Sequence, residues 1–569
     1  MKRIATALAL CAAAVYAARP SFGPEDLWAW RSLSEARISP DGRWVAYVEA
    51  WNDRVSDARR ANLWLVSADG KERRRLTTGD WQDASPRWSP EGDRLAWISD
   101  RGGSSRVYVR NLEGGSETVI ALAMPPSNLA WSPDGKWIAF LSQAQGRAHI
   151  FVVSSSGGAV RQISTGNFDD GPPEWMPDGQ WILADRAGAG VCAFPAVGGE
   201  ARPLTPPGNY ESPLPSPDGA KIAYLARDPK PRSYVVRKLY VMNADGSSPH
   251  ALSGALDRDA FDPRWSADSR TIYFLADDAG ATHVYAARAD GTLRQVTDAP
   301  ERLRDLSVAA NGRAAAVRST VSGGDEVFAF SVFDPAARAT LAAPNAEQLA
   351  SREIVQPQEI RCQSAGRSVQ AWLYQPAGFD PAKRYPLLVD QREALRGMNG
   401  FEFNLPAQVL AARGLVVLCA NPRGTPGYGE DFGNLLRTRD PGDDLDDLLS
   451  GVDFAIAKGY ADPQRVSIAG GLPAAWALGH SERFASVIAR RSKARLEEPW
   501  DPQRSPLLFA SNFKTPTLVI ADADDPQSDQ LFEALQTRKV DSTLVRLPGS
   551  RPGAIVMELE AILAWLAKW

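Results

Sequence analysis

One phrase, returning at a regular interval, constrains this chain more than anything else in it. Ser39-Pro40-Asp41-Gly42 precedes the strand-like run Trp44-Val45-Ala46-Tyr47-Val48. The phrase recurs as Trp88-Ser89-Pro90-Glu91-Gly92, Trp131-Ser132-Pro133-Asp134-Gly135 and Trp175-Met176-Pro177-Asp178-Gly179. It comes back as Ser216-Pro217-Asp218-Gly219 and Trp265-Ser266-Ala267-Asp268-Ser269, and fades at Asn311-Gly312. The glycine or its equivalent stands at 42, 92, 135, 179, 219, 269 and 312, an interval of 40 to 50 residues. That is the length of one four-stranded propeller blade. Pro-Asp-Gly supplies a fixed φ, a side-chain acceptor and a position for φ > 0, which together make a hairpin turn. The β-branched and aromatic run after it suits an inner strand buried on both faces. A second hairpin follows in most repeats, as in Leu63-Trp64-Leu65-Val66 before Ala68-Asp69-Gly70. Seven repeats predict a seven-bladed β-propeller over residues 25–345.

Beyond residue 351 the pattern changes. Strand-like runs such as Pro386–Val389, Leu415–Leu418, Arg465–Ile468 and Pro516–Ile520 alternate with helical ones, including Asp443–Lys458 and Ile555–Lys568. Alternation of this kind argues an α/β domain with a mainly parallel sheet over 351–569.

The first eighteen residues read as a targeting segment. Lys2 and Arg3 precede an apolar run from Ile4 to Val15 that ends in Ala17 and Ala18, too short to span a bilayer. A cleaved signal peptide over 1–18 predicts an exported protein, periplasmic or secreted. A lipoprotein reading through Cys11 is weaker, because Leu10 is not small. No later stretch offers a membrane span. A formal net charge of −4 gives no footprint for nucleic acid. Cys11, Cys192, Cys362 and Cys419 match no zinc or redox spacing and read as buried thiols, so neither metal nor cofactor is expected.

A repeat built on Trp-Ser-Pro-Asp-Gly, followed by such an α/β domain, resembles the prolyl oligopeptidase family of serine peptidases, especially its acylaminoacyl-peptidase and dipeptidyl-peptidase-like branches. Asn421-Pro422-Arg423-Gly424-Thr425-Pro426-Gly427-Tyr428-Gly429 is similar to the family's Asn-Pro-Arg-Gly-Ser-x-Gly-Tyr-Gly loop. Asp446-Asp447-Leu448 and Asp462–Ile468 match the helix and strand that lead into its nucleophile, and His480–Phe484 and Ser505–Leu507 match further structural stretches. The resemblance implies an α/β-hydrolase domain after the propeller.

The catalytic positions depart from that pattern. The family's nucleophile turn reads Gly-Gly-Ser-x-Gly-Gly, whereas this chain has Gly470-Gly471-Leu472-Pro473-Ala474-Ala475. Leu472 has no hydroxyl and cannot form an acyl-enzyme. Pro473 removes the N–H that follows the nucleophile, an oxyanion donor in such elbows. Asp525 carries over as the acid that orients the base. The base position of Pro-Gly-x-x-His-Gly falls on Pro552, and the oxyanion loop His-Gly-Gly-Pro falls on Arg392-Glu393-Ala394-Leu395. The stretch between Ser492 and Ser505 is also much shorter than the family's.

Only four histidines exist in 569 residues. His149, His250 and His283 fall at positions that other repeats fill with Asn, Arg or Lys, and so read as structural edges. His480 belongs to the helix after the elbow. The carboxylates Asp522, Asp524, Asp525 and Asp529 lack the glycine and glutamate spacing of an EF-hand and read as a solvated turn rather than a metal site. Losing a nucleophile or base removes roughly 10⁴–10⁶ in rate, and losing an oxyanion donor about 10²–10³. The chain is therefore expected to be a pseudo-peptidase, binding a peptide or protein through the propeller channel or the domain interface. The alternative is an active serine hydrolase of the same family with an unorthodox site.

Overall fold

The computed structural model describes residues 19–230, 232, 234–391, 397–435, 442–491 and 505–569. Residues 1–18, where a signal peptide is expected, the oxyanion-loop positions from Arg392 to Leu395 and most of the 492–505 stretch lie outside the described residues. Seven four-stranded antiparallel sheets succeed one another from Arg31 to Ala342, each built from one contiguous segment, so the N-terminal part of the chain is a seven-bladed propeller.

The recurring phrase has a physical job in each blade. Ser39 Oγ donates to Asp41 Oδ1 at 2.6 Å and accepts from Trp44 N at 2.9 Å, and the same pair of bonds recurs at Ser132, Ser216 and Ser266. The turn needs a left-handed residue. Gly42 supplies φ +74°, and Ser269 adopts φ +59° where the glycine has been lost. One detail departs from the sequence expectation. The run after the turn is the second strand of its blade, and the innermost strand is the one before it, for example Arg31–Ile38 ahead of Trp44–Asp53.

The tryptophan of the phrase joins neighbouring blades. Trp88 Nε1 donates to Arg37 O (2.8 Å), Trp131 Nε1 to Arg87 O (3.0 Å), Trp175 Nε1 to Ala130 O (3.2 Å) and Trp265 Nε1 to Leu214 O (3.0 Å). Each indole therefore satisfies the carbonyl at the equivalent place on the blade before it. The first and seventh blades meet without sharing a strand, through bonds such as Ile38 N to Ser307 Oγ at 3.0 Å.

The C-terminal domain is an eight-stranded sheet. Its strands are β1 (Gln358–Ser364), β2 (Arg367–Tyr374), β3 (Tyr385–Gln391), β4 (Val416–Asn421), β5 (Ala461–Gly470), β6 (Ser486–Arg490), β7 (Thr517–Asp522) and β8 (Ser542–Leu547). They lie in the order β1-β2-β4-β3-β5-β6-β7-β8, with β2 antiparallel to both neighbours and β3 to β8 parallel. Helices α1 (Leu405–Ala411) and α5 (Pro552–Leu566) cover one face over Leu388, Val417, Ile488 and Ile520. The other face, over Val389, Ile468 and Val519, carries α2 (Asp443–Ala457), α3 (Leu472–His480) and α4 (Pro526–Thr537). This is an α/β-hydrolase sheet, buried on both sides as a parallel sheet must be.

Candidate functional site

In a sheet of this topology a site forms where strands end and helices begin. Strand β5 lies centrally, between β3 and β6, and runs fully buried from Val466 to Gly470. A Cβ on Gly470 would stand 2.7 Å from Gln391 O, so only glycine fits there. Gly471 turns the chain, and Leu472 and Pro473 open α3. No residue from Gly470 to Ala474 has a positive φ. The strand-to-helix elbow is kept in topology, but the backbone strain that goes with an exposed nucleophile is absent. Pro473 suits a first helical turn, where its missing N–H has no partner to lose.

The acid position is occupied and employed. Asp525 is the N-cap of α4, its Oδ1 accepting from Ser528 N at 3.2 Å and its Oδ2 from Ser528 Oγ at 2.6 Å. Two other carboxylates of that loop are engaged separately, Asp522 with Arg491 at 2.9 Å and Asp529 with Arg546. The base position, Pro552, is buried at the start of α5. Next to it Gly553 N donates to Asp57 Oδ1 of the first propeller blade at 2.7 Å.

The histidines stand elsewhere. His480 ends α3, eight residues and about 12 Å along the helix from Leu472. Its Nδ1 contacts Trp476 O at 3.0 Å, and its ring stacks on Trp476 with centroids 3.6 Å apart. His149 and His283 are not edge residues as expected: both are buried. His149 Nδ1 lies 3.2 Å from Asp170, which also takes Ser164 Oγ and Arg186, forming a polar knot between the third and fourth blades. The reason is that the third strand of a blade is sandwiched between neighbouring sheets. His283 is held below its ordinary pKa, chiefly by burial. His250 is exposed.

Sequence reasoning missed what joins the strand ends. Arg490, closing β6, reaches across the intervening β5 to Asp390 on β3 at 2.6 Å, with both side chains buried. Asp390 pairs in register with Ala469, whose small side chain leaves that path open. Glu558 of α5 adds contacts to Arg490 at 3.5 Å and to Arg491 at 3.0 Å. The result is an ion-paired lattice over the carboxyl ends of β3, β6 and β7. Beside it, Gln391 is 2% exposed, and neither of its amide atoms has a hydrogen-bond partner among the described residues. The sequence signal was present: Asp390-Gln391 and Arg490 terminate otherwise apolar strands.

The residues that match the family motifs hold the shell together. Arg423 is buried and grips Asp447 of α2 through Nε (2.9 Å), Nη2 (2.5 Å) and its backbone N (2.8 Å). Asn421 Nδ2 donates to Tyr428 Oη at 2.6 Å. The loop after Gly427 forms the domain seam, where Ala279 N donates to Gly427 O at 3.0 Å and Glu430 meets Lys230 and Arg232 at 3.0 and 3.1 Å.

A seven-bladed propeller ahead of an α/β-hydrolase sheet, with an elbow after the central strand, defines the class of propeller-bearing serine-peptidase-like proteins. Residues 41–238 match the TolB beta propeller domain and residues 401–499 the prolyl oligopeptidase family. The chain belongs to the prolyl oligopeptidase family. It is 26% identical to the uncharacterized peptidase YuxL of Bacillus subtilis strain 168, over 92% of this chain and 95% of that protein. It is 24% identical to dipeptidyl-peptidase 5 of Porphyromonas gingivalis, over 96% and 95% respectively. Among solved structures, the acylaminoacyl peptidase of Pyrococcus horikoshii superposes with a TM-score of 0.84 at 17% identity, over 96% of this chain and 97% of that one.

Proposed function

We propose that this protein is an exported, catalytically silent member of its family that works by binding a peptide or a protein partner. The observation that carries the reading is Leu472 at the head of α3, in the place of a nucleophile. Three further features support it. Pro473 offers no oxyanion N–H. Asp525 is engaged in capping its own helix. No imidazole stands near the elbow among the described residues, since the base position is taken up by a contact between the two domains. The structural motifs are intact while the chemical positions are lost, a pattern suited to a retained scaffold. Peptide is the chemical class suggested by relatives named as peptidases. Export rests on the Lys2–Ala18 pattern of the sequence.

The test is direct. Purified full-length mature protein is treated with a serine-directed fluorophosphonate and, separately, with dipeptidyl and N-acylated aminoacyl chromogenic substrates. The expected result is no labelled serine and no turnover above buffer. Labelling of a single serine together with turnover would replace this reading with that of an active hydrolase.

A further inference from the structure

The bonds from tryptophan to the preceding blade identify a set of equivalent positions around the propeller axis. Arg37, Arg87, Ala130 and Leu214 each give their carbonyl to the indole of the next blade. The residue just before the repeat tryptophan or its equivalent fills the same place on the remaining blades: Glu174, Arg264 and Ser307. In six of the blades a β-bulge with a left-handed residue precedes this position, such as Glu35 (φ +54°), Asp262 (φ +52°) and Asp305 (φ +60°). Of these seven positions Ala130 and Leu214 pack into the blade cores, whereas Arg37, Arg87, Glu174 and Arg264 on the innermost strands come near enough to sense one another across the propeller axis.

The charges in that ring are not evenly spread. Arginines occupy blades 1, 2 and 6, while Glu174 stands alone on blade 4. The guanidiniums of Arg264 and Arg37 converge on the bulge of blade 7, the first donating to Leu306 O at 3.0 Å and the second to Asp305 O at 3.5 Å. Arg37 and Arg87 flank Glu35, which lies 3.5 Å from Arg87 and accepts from Ser85 N at 2.9 Å. Arg264 is paired with Asp262.

Arg37 is the under-served member. Among the described residues its guanidinium contacts two carbonyls at 3.4 and 3.5 Å, and its carboxylate partner, Asp305, is 4.0 Å away. Asp305 is already engaged as the acceptor for Glu35 N at 2.9 Å. Glu35, Asp262 and Asp305 are the carboxylates set against the three arginines, and of these pairs the one to Arg37 is the longest. Burial first, and then the like charges of Arg87 and Arg264, push Arg37 down to about 10. A guanidinium in that condition gains from an arriving anion, and its planar fork matches a carboxylate in particular.

We infer that the channel ring at Arg37, Arg87 and Arg264 is a recognition site for a peptide carboxylate, with Glu174 on the fourth blade the carboxyl group of this chain that competes for the same arginines. This inference rests on the peptide-binding reading above and gives it a location and a chemistry. The carboxylate has two sources, an acidic side chain or a free C-terminus.

The experiment uses the full-length mature protein and calorimetric titration at low and at physiological salt. The probes are acetyl-Gly-Gly-Glu-Gly-Gly-amide, acetyl-pentaglycine with a free C-terminus, acetyl-pentaglycine amide and inorganic phosphate. At least one carboxylate-bearing peptide is expected to bind and the neutral amide not to, the stronger of the first two identifying the source. Arg37→Gln is expected to weaken that binding about tenfold, the loss of one charge-assisted contact. Glu174→Gln is expected to strengthen it severalfold, and added salt to weaken it. Should Arg37→Gln fail to give a cooperatively folded protein, Arg87→Gln carries the same expectation.

Equal binding of the neutral peptide, unaffected by either arginine variant, overturns the ring site while leaving peptide binding in place. Arginine-dependent binding of phosphate with no binding of either carboxylate peptide overturns the peptide assignment. Fluorophosphonate labelling bears on the catalytic reading alone and leaves the arginine dependence readable.

Discussion

Asp57 Oδ1 accepts a hydrogen bond from Gly553 N at 2.7 Å and so connects residues 496 positions apart. Asp57 sits on the hairpin between the second and third strands of the first blade, and Gly553 is the second residue of α5. Arg551, the residue that caps α5, gives no side-chain bond to the helix, so the propeller provides one instead. A Cβ at Gly553 would fall 2.9 Å from that carboxylate oxygen, which explains a glycine there. The place where the family pattern puts a catalytic histidine is here a joint between two domains.

Asp57→Ala is expected to lower stability by ~1 kcal/mol, the usual cost of a helix N-cap, and to loosen the seam. Thermal unfolding and limited proteolysis of the hairpin would register both. Asp57→Asn keeps an acceptor oxygen and should lose little. Wild-type behaviour of the alanine variant would show that the contact does not stabilise the assembly.

Arg423 and Asp447 form a second joint, buried within the hydrolase domain. Arg423→Ala leaves a carboxylate buried without its partner, a change that costs ~3–5 kcal/mol. Arg483 pairs with Asp453 at the surface, with side chains 46% and 60% exposed, and Arg483→Ala should change stability by less than about 0.5 kcal/mol. Urea midpoints for the two variants should therefore differ widely. Similar midpoints would mean that the motif arginine is not what holds the loop to α2.

The propeller was legible because its signal is local. Ser39, Pro40, Asp41 and Gly42 make their turn with their own neighbours, so the pattern survives repetition. Arg423 and Asp447 were legible as motif matches, though their purpose emerged only when the loop and the helix came together. The lattice of Asp390, Arg490 and Glu558 was not legible. Its members come from β3, β6 and α5, and nothing in a linear reading says that an arginine will cross a strand over Ala469. Asp57 was invisible for the same reason, since its partner lies in the other domain. His149 and His283 read as edge positions in the sequence because strand exposure depends on how neighbouring blades pack, which the period alone does not record.

Asp185, on the second strand of the fourth blade, is raised to about 6, mainly by burial and further by Glu211 and Asp170. The unfolded chain releases this proton near the ordinary carboxyl value of 3.8, whereas the folded protein keeps it until about 6. The native state therefore binds more protons in that window, and stability falls as pH rises through it. Asp185→Asn removes the dependence. The variant should be close to wild type near pH 4 and more stable above pH 6, as read from urea unfolding at the two values. A constant difference between the two proteins at both pH values would assign the effect to packing instead.

Gln391 buries both amide atoms at the end of β3 without partners among the described residues. An unsatisfied buried polar group costs ~1–3 kcal/mol, and an apolar replacement of similar shape recovers much of that. Gln391→Met should raise the urea midpoint with an unchanged slope. A lower midpoint would indicate that the amide is bonded in solution.

Restoring the missing hydroxyl alone should not restore chemistry. In Leu472→Ser the new Oγ would sit at the head of α3, yet the turn there has no positive-φ residue to project it as a strained elbow does. It would find no imidazole, because His480 is stacked on Trp476 about 12 Å away and Pro552 fills the base position. Pro473 would still withhold an oxyanion N–H, a loss of about 10²–10³ in rate by itself. Members of a triad act as a unit, so adding one to a site that lacks the others gives almost none of its value. Leu472→Ser should remain unlabelled by fluorophosphonate and show no esterase turnover above the parent protein. The double variant Leu472→Ser with Pro552→His should fare no better, because Asp525 is committed to Ser528 and α5 to its contact with Asp57. Turnover in the single variant would mean that a general base is already in reach of the elbow, and would reopen the active-hydrolase reading.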